Sequence, residues 1–486
     1  MTLGLSLKYV TIWGIISISM CITYMTNEDN QDEIYGPLKQ LDYSSLKETL
    51  NDIKTKISSI DIIGQSENKF LSENKNHKDS FLCKTCLWTY NHIHDMIKKL
   101  YGKIGLFELA DFICHNFSKM TKQACHGYIY NYAPVIFDSY IDHYLTGEFL
   151  CSALHACSNS HFIILNADDY AKDLLKDKPV NPSIPMIEKI KDNTWKVLHV
   201  SDIHTDLKYS EGSTAECTDP FCCRPSSKGK SNETIQEQSR AGKWGHVGKC
   251  DLPLRTLENF VEEVSNVIKP EFVIWTGDNP SHAEWEDDNA QEILNVTRIF
   301  TKLMMDSEIQ VYPSLGNHEK FPIDQFYPYG DEKEKTVLEF FGNLWHKWLG
   351  DEAYEQFIKY GYYSKKHSDT NLRIISYNCL YCDVLNFYLI KNPTDPGDQI
   401  KWLEKTLRMS EQNQEEVYII GHIPAGDTSL LTECSKRHIA LIERFSHIIR
   451  GQFAGHTHYD EVKIMRDYFD KEKVNSIQYI NPSLTT

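Results

Sequence analysis

The chain has 486 residues, and its 68 acidic against 51 basic side chains leave a formal net charge of −17. That balance argues against nucleic acid as a partner and is tolerable in an acidic lumen. Fourteen cysteines point to an oxidising compartment.

Residues Val10 to Tyr24 form an apolar stretch after Lys8. It is too short for a comfortable membrane span and suits the core of a signal peptide, so residues 1–25 are read as one. A signal anchor is the rival reading. Residues 26–80 are polar and charged, with partial helical periodicity around Leu46 to Ile60, and read as a poorly ordered leader.

Six cysteines follow, at Cys83, Cys86, Cys114, Cys125, Cys151 and Cys157. Spacing alone allows about fifteen pairings. Leu87, Ile93, Met96 and Ile97, then Ala110, Ile113 and Phe117, recur at helical spacing, which predicts a helical domain over residues 81–160. Zinc held by Cys83-x2-Cys86 is the competing reading, but the other four cysteines form no second zinc pair. Pro179, Pro182 and Pro185 mark residues 161–193 as a semi-rigid linker.

From residue 194 onward, five short clusters appear in order: Asp202-Ile203-His204, Gly277-Asp278, Gly316-Asn317-His318-Glu319, Gly421-His422 and Gly455-His456-Thr457-His458. Together they offer, outside His318 and Glu319, two carboxylates, one amide oxygen and four imidazoles. That is enough for two divalent ions sharing an Asp, the arrangement that activates water and clamps a phosphate at once. Each cluster follows a short apolar run: Trp195 to Val200, Phe272 to Trp275, Val311 to Pro313, Val417 to Ile420, and the run ending at Phe453. Runs this short, ended by Gly or Pro, predict buried strands. Helical patterns at Leu254 to Ile268 and Gln399 to Leu407 fall between them, so the expectation is a layered α/β fold with the site on loops after strands. The bland alternative, ordinary loop or core histidines, fits any one cluster better than it fits the ordered set.

These residues resemble the calcineurin-like metallophosphoesterases. Cys217-Thr-Asp-Pro-Phe-Cys222-Cys223-Arg224, Trp244-Gly245 with Cys250-Asp-Leu-Pro-Leu-Arg255, and Trp275-Thr-Gly-Asp278-Asn-Pro-Ser-His282 resemble their acid sphingomyelinase branch. The six upstream cysteines resemble a saposin B-type domain. The resemblance implies an all-α saposin domain (81–160) followed by a catalytic β-sandwich flanked by helices (194–486). It implies two zinc ions, one held by Asp202, His204, Asp278 and His458, the other by Asp278, Asn317, His422 and His456. His318 and His282 are the implied proton donors. The implied reaction is hydrolysis of sphingomyelin to ceramide and phosphocholine at a bilayer surface by a monomer, secreted or lysosomal. The rivals are a related phosphodiesterase of soluble nucleotides or phosphate esters, and a shortened, non-catalytic lipid-binding form.

The same resemblance implies disulfides Cys83–Cys157, Cys86–Cys151, Cys114–Cys125, Cys217–Cys222, Cys223–Cys250 and Cys382–Cys434. Cys379 is then left over, with Cys379–Cys434 as an alternative. Sequons at Asn116, Asn232 and Asn295 are candidate glycan acceptors, while Asn392 and Asn481 are blocked by proline. Acid sphingomyelinases continue past the last histidine motif, so a sheet with an uncovered edge is expected here.

Overall fold

The computed structural model describes residues 120–136, 166–179, 194–229, 239–286, 288–327, 332–391 and 394–485, with a few isolated residues before them. Residues 1–80, most of 81–160, and the sequons at Asn116 and Asn232 lie outside the described residues. So do Cys83, Cys86, Cys151 and Cys157, whereas Cys114 and Cys125 are described and each is disulfide-bonded. The chain divides into two compact units, residues 1–118 with 136–163 and residues 119–135 with 164–486. All described strands belong to the second unit. Among the described residues, no helix is long and apolar enough to cross a membrane.

Two sheets form the centre of this unit. The first is parallel, in the order β1 (Val197–Val200), β4 (Phe272–Trp275), β5 (Gln310–Pro313). The second runs β10 (Glu461–Arg466), β11 (Val474–Ile480), β9 (Ile449–Ala454), β8 (Glu416–Ile420), β7 (Leu372–Ser376), β6 (Tyr363–Lys366). Its four inner strands are parallel, and antiparallel β6 and β10 close its edges. Strands β2 (Thr205–Asp206) and β3 (Leu252–Pro253) make a short parallel pair beside them.

The period of two along each strand sorts the side chains. Phe272 and Ile274 of β4 face the second sheet, where they meet Ile374 and Ile420. Val273 and Trp275 face the other way, onto Leu257 and Val261 of α3 (Leu254–Glu263), Phe300 of α4 (Asn289–Asp306) and Trp345 of α5 (Glu332–Tyr360). The second sheet turns Ile375, Val417 and Ile419 onto Leu403 and Leu407 of α6 (Gln399–Gln412) and Leu441 of α7 (Thr432–Arg444). The result is helix–sheet–sheet–helix layering, each fully buried large apolar side chain contributing roughly 1.5–3 kcal/mol. The strand and helix positions follow the apolar runs read from the sequence.

Two elements depart from that reading. Residues within the expected linker form α2 (Ala167–Leu174), capped by Asn166, whose side chain accepts from the amides of Asp168 and Asp169. Ala167, Ala171 and Leu174 fall on one face and are buried, which anchors the segment although the stripe is short. Helix α1 (Lys122–Ile136) begins inside the expected saposin stretch, yet residues 119–135 group with the second unit. Its Tyr128 ring lies 5.9 Å from that of Trp285. Asn131 Nδ2 donates to the Glu284 carbonyl at 3.2 Å, and the Tyr132 hydroxyl to the Glu284 carboxylate at 3.2 Å.

At the far edge of the second sheet, the pairs Val462–Tyr479 and Ile464–Ile477 stay largely exposed. Tyr479 stacks on Phe453, at the margin of the inter-sheet core, so this face extends past the cover of the three-stranded sheet.

Candidate metal centre

Five parallel strands end at one side of the sandwich, and every cluster read from the sequence sits on the loop just after one of them. The loops pack closely. A Cβ on Gly316 would lie 2.1 Å from Asp278 Oδ1, and one on Gly455 would lie 1.9 Å from Ser201 Oγ. Glycine before the ligand is therefore a packing requirement. Asp202, His204, Asp278, His456 and His458 all adopt left-handed backbone conformations, with φ of 51°, 39°, 59°, 73° and 64°. Such conformations cost about 1–3 kcal/mol each and persist where surrounding structure enforces them. Here the enforcement is a ladder of loop hydrogen bonds: Asp202 N to Gly277 O at 3.0 Å, His204 N to Asp278 O at 3.1 Å, and Gly455 N to His422 O at 2.9 Å. The Glu319 carboxylate ties two loops further, accepting from the amides of Asp278, Asn279 and Gly316.

The expected ligands converge as two groups, and a third grouping joins His204 to His282 and His318. Asp202, His204 and His458 form one; Asp278, His422 and His456 form the other. In the first, His458 Nε2 lies 3.4 Å from Asp202 Oδ1 and 3.2 Å from His204 Nε2. His204 Nε2 is 3.6 Å from Asp278 Oδ2, so Asp278 also borders this group. In the second, His422 Nε2 lies 3.0 Å from Asp278 Oδ2, and His456 Nδ1 lies 3.1 Å from Asn317 Oδ1. All seven residues expected as ligands are thus brought together.

The donor set suits divalent cations. His204 and His422 each give Nδ1–H to a carbonyl, of Pro280 at 2.9 Å and Thr276 at 2.8 Å, which turns Nε2 inward as a bare acceptor. His422 Nε2 is close to Asp278 but out of hydrogen-bonding geometry, and this buried atom has no hydrogen-bond partner. Burial opposes a charge on His422, yet the Asp278 and Asp202 carboxylates draw a proton to it and hold its pKa up at about 10, so Nε2 serves as an acceptor once a cation displaces that proton. Acceptors facing acceptors, with buried carboxylates drawing positive charge, are what a cation would satisfy.

Residues 196–460 match the family model of calcineurin-like phosphoesterases. The sphingomyelin phosphodiesterase 1 of Caenorhabditis elegans is 30% identical over 426 residues, covering 83% of this chain and 72% of that one. The chain belongs to the sphingomyelin phosphodiesterase family of calcineurin-like phosphoesterases. Sphingomyelin phosphodiesterase B of Dictyostelium discoideum is 30% identical over 83% of this chain and 63% of its own length. The cyclic GMP-AMP phosphodiesterase SMPDL3A of Bos taurus is 36% identical over 59% of this chain and 62% of its own. The chain therefore spans less than two thirds of the length of these last two relatives.

The two expected proton donors flank the groups. The His282 ring stacks on His204 at 3.9 Å between centroids, and His318 lies 5.0 Å from His282. Burial pushes His318 down to about 4. Burial also works against charge on His282, but the Asp251 carboxylate holds it up at about 9. Asp251 accepts from His282 Nδ1 at 3.0 Å and from the His282 amide at 2.8 Å. It also accepts from the Thr485 hydroxyl at 3.2 Å.

A recess of about 690 Å³ opens over this cluster, walled by His282, His318, His458 and Tyr459 and by Ser483 and Thr485. A second recess of about 400 Å³ shares Asn317, His318 and His456 with it, and carries Glu284, Asp324 and Asp383. Burial raises all three of these carboxyls, Asp383 to about 7.

Sequence reasoning assigned no role to Asp251, Glu284, Glu319, Asp324, Asp383 or the 483–485 segment. Asp251 did carry one signal, its place after Cys250 in a quoted motif. Cys217 is bonded to Cys222, Cys223 to Cys250 and Cys382 to Cys434, and Cys379 is a free, buried thiol. Asn295 lies on α4, half-buried, its side-chain oxygen accepting from Gln291 and Arg298.

Proposed function

We propose that this protein hydrolyses the phosphodiester of sphingomyelin, releasing phosphocholine and ceramide, with two zinc ions. Asp202, His204, Asp278 and His458 would hold one ion, and Asp278, Asn317, His422 and His456 the other. The observation that carries the reading is the shared position of Asp278 between two ligand groups, both on the floor of one recess with two non-ligand histidines at its wall. Ions bound there supply an activated water and neutralise phosphate oxygens.

The chain's own residues do the rest. The ceramide alkoxide is a poor leaving group and must gain a proton as its bond to phosphorus breaks. His282, which Asp251 holds protonated, stands where that proton can be delivered, and His318, pushed toward its neutral form, lies beside it. Asp251 accepts Nδ1–H of His282 and so fixes the ring with Nε2 as the working nitrogen. Glu284, Asp324 and Asp383 line the adjoining recess, where burial favours their neutral forms, and a cationic head entering it would draw them back toward the charged form.

The cysteine-patterned stretch 81–160 is read as the saposin-type module that presents the lipid. The Cys217–Cys222, Cys223–Cys250 and Cys382–Cys434 disulfides fit an oxidising compartment, and the protein is proposed to be secreted or lysosomal, as a monomer.

A second reading, hydrolysis of a soluble nucleotide, is favoured by the similarity to the bovine cyclic GMP-AMP phosphodiesterase. The zinc-loaded full chain should release phosphocholine from sphingomyelin vesicles at acidic pH, and deletion of residues 81–160 should weaken that activity. Turnover of cyclic dinucleotides with none on vesicles would overturn the lipid reading in favour of the second.

A further inference from the structure

One surface segment of the second unit differs in composition from the rest of the chain. Residues 240–249 read Arg-Ala-Gly-Lys-Trp-Gly-His-Val-Gly-Lys, with three cations and no carboxylate, in a protein whose net charge is −17. Two apolar side chains stand out from it. Trp244 is 54% exposed and Val247 is 83% exposed. A single exposed apolar residue needs no explanation. A Trp and a Val three residues apart, framed by exposed Lys243 and Lys249, form a different pattern. Trp is favoured where an apolar face meets a wet, charged layer, and lysines reach lipid phosphates from the same depth.

The base of the segment is fixed. The Tyr209 hydroxyl donates to the Gly242 carbonyl at 2.8 Å, and the Thr256 hydroxyl to the Trp244 carbonyl at 2.8 Å. The Ala241 amide donates to Ser213 O at 2.9 Å. The far end is pinned by the Cys223–Cys250 disulfide. Gly245 and Gly248 turn the chain between these anchors, with φ of 128° and 135°. Lys243 Nζ sits 5.1 Å from the Trp244 ring.

Among the described residues, these cations have no carboxylate in contact. Arg240 donates to the Gly212 carbonyl at 3.5 Å and Lys249 to the Asp219 carbonyl at 3.3 Å. Three described acidic side chains nearby are engaged elsewhere: Glu211 pairs with Arg255 at 2.9 Å, Glu216 accepts from Ser239, and Asp219 accepts from Thr121. The segment also runs directly into Asp251, which holds His282.

We propose that residues 243–249 form a lipid-surface docking loop on the catalytic unit itself. Trp244 and Val247 enter the headgroup layer of a bilayer, and Arg240, Lys243 and Lys249 meet anionic lipid phosphates. The purpose of this surface rests on the membrane-lipid reading above, but its binding does not require catalysis.

The test uses the full chain and vesicles of phosphatidylcholine with or without one part in five of phosphatidylserine, read by co-sedimentation. Turnover of soluble bis(p-nitrophenyl) phosphate is measured in parallel. The double variant Trp244→Ala/Val247→Ser should lower vesicle affinity about tenfold or more on both compositions. The variant Lys243→Gln/Lys249→Gln should remove most of the added affinity for the anionic vesicles, about fivefold per lysine. Soluble turnover should be unchanged in both. Absence of vesicle binding by the parent chain, or unchanged affinity in both variants, overturns the proposal. So does a change of oligomeric state with vesicle affinity intact, which would make the loop a protein contact. If the parent hydrolyses neither substrate while the variants still lose vesicle binding, the docking loop stands and the catalytic reading falls.

Discussion

Two regions of the second unit shape the same recess, one with its own side chains and one through Asp251 behind His282, and different forces hold them. The strand-end loops carry Asp202, His204, Asp278, Asn317, His422, His456 and His458. They are fixed by sheet register, by close glycine packing and by backbone hydrogen bonds between neighbouring loops. The segment from Lys208 to Asp251 has almost no regular structure among its described residues, apart from an isolated bridge between Thr214 and Arg240. It is held by two disulfides and by Arg224. That buried guanidinium is bidentate to Asp206, at 2.9 and 2.8 Å, and reaches Glu286 at 2.7 Å and the Ser281 hydroxyl at 2.9 Å. The sheet loops are rigid through many weak bonds, whereas the segment depends on a few strong ones. Damage to the first should therefore remove chemistry, and damage to the second should loosen positioning and stability together.

The largest effect is expected at Asp278, which borders both ligand groups. Asp278→Ala should lower kcat on sphingomyelin vesicles on the order of a thousandfold, the scale of losing metal charge stabilisation. It should also lower Tm, because its partners come from both sheets and a bound ion would tie them together. A variant with near-normal kcat would break the comparison at its stronger side.

Next is His318→Ala, expected to lower kcat on the order of a hundred- to ten-thousandfold with metal content unchanged. Elemental analysis alongside kinetics separates a proton donor from a ligand, and unchanged kcat would remove His318 from the mechanism.

On the pinned side, replacing Cys223 and Cys250 together by Ser opens a bridge between residues 27 apart in sequence. Denaturant unfolding should show a loss of about 3 kcal/mol. Because Asp251 follows Cys250, kcat should fall as well. A stability loss with kcat intact would show that Asp251 is positioned without the staple.

The smallest effect is on pH dependence, through Glu292. It is buried beside Arg224, and burial raises its pKa to about 7 despite the nearby guanidinium. A carboxyl whose folded pKa lies above its unfolded value stabilises the fold while protonated. Its contribution is full below about 4.5 and is lost as pH rises through about 7, roughly 2–3 kcal/mol at most. The parent should therefore show a stability gain on acidification from neutral that Glu292→Gln lacks; equal pH profiles would contradict this.

The same contrast explains what the sequence revealed. A strand such as Phe272–Trp275 announces itself by apolar run and bounding turn, and the ligand follows at the strand end, so fold class and ligand candidates were legible together. Asp251, Glu284, Asp324 and Asp383 sit in no such frame. They line the recess or back its wall through contacts between distant segments, such as the Thr485 hydroxyl on Asp251, and one chain's pattern does not record those pairings. Helix α2 was missed because three buried positions in eight residues are too short a stripe to stand against the prolines that follow. The exposure of Trp244 and Val247 was equally invisible, since apolar residues between glycines read the same whether they point inward or outward.

The central claim is that seven residues from two sheets form one two-metal centre. Elemental analysis of the full chain after gentle purification tests it most directly, beside Asp202→Ala, which borders mainly the first group, and Asp278→Ala, which borders both. The account predicts about two transition-metal ions per parent chain, zinc foremost, about one in the first variant and fewer in the second. Less than one ion per parent chain, or undiminished metal in the Asp278 variant, would contradict it.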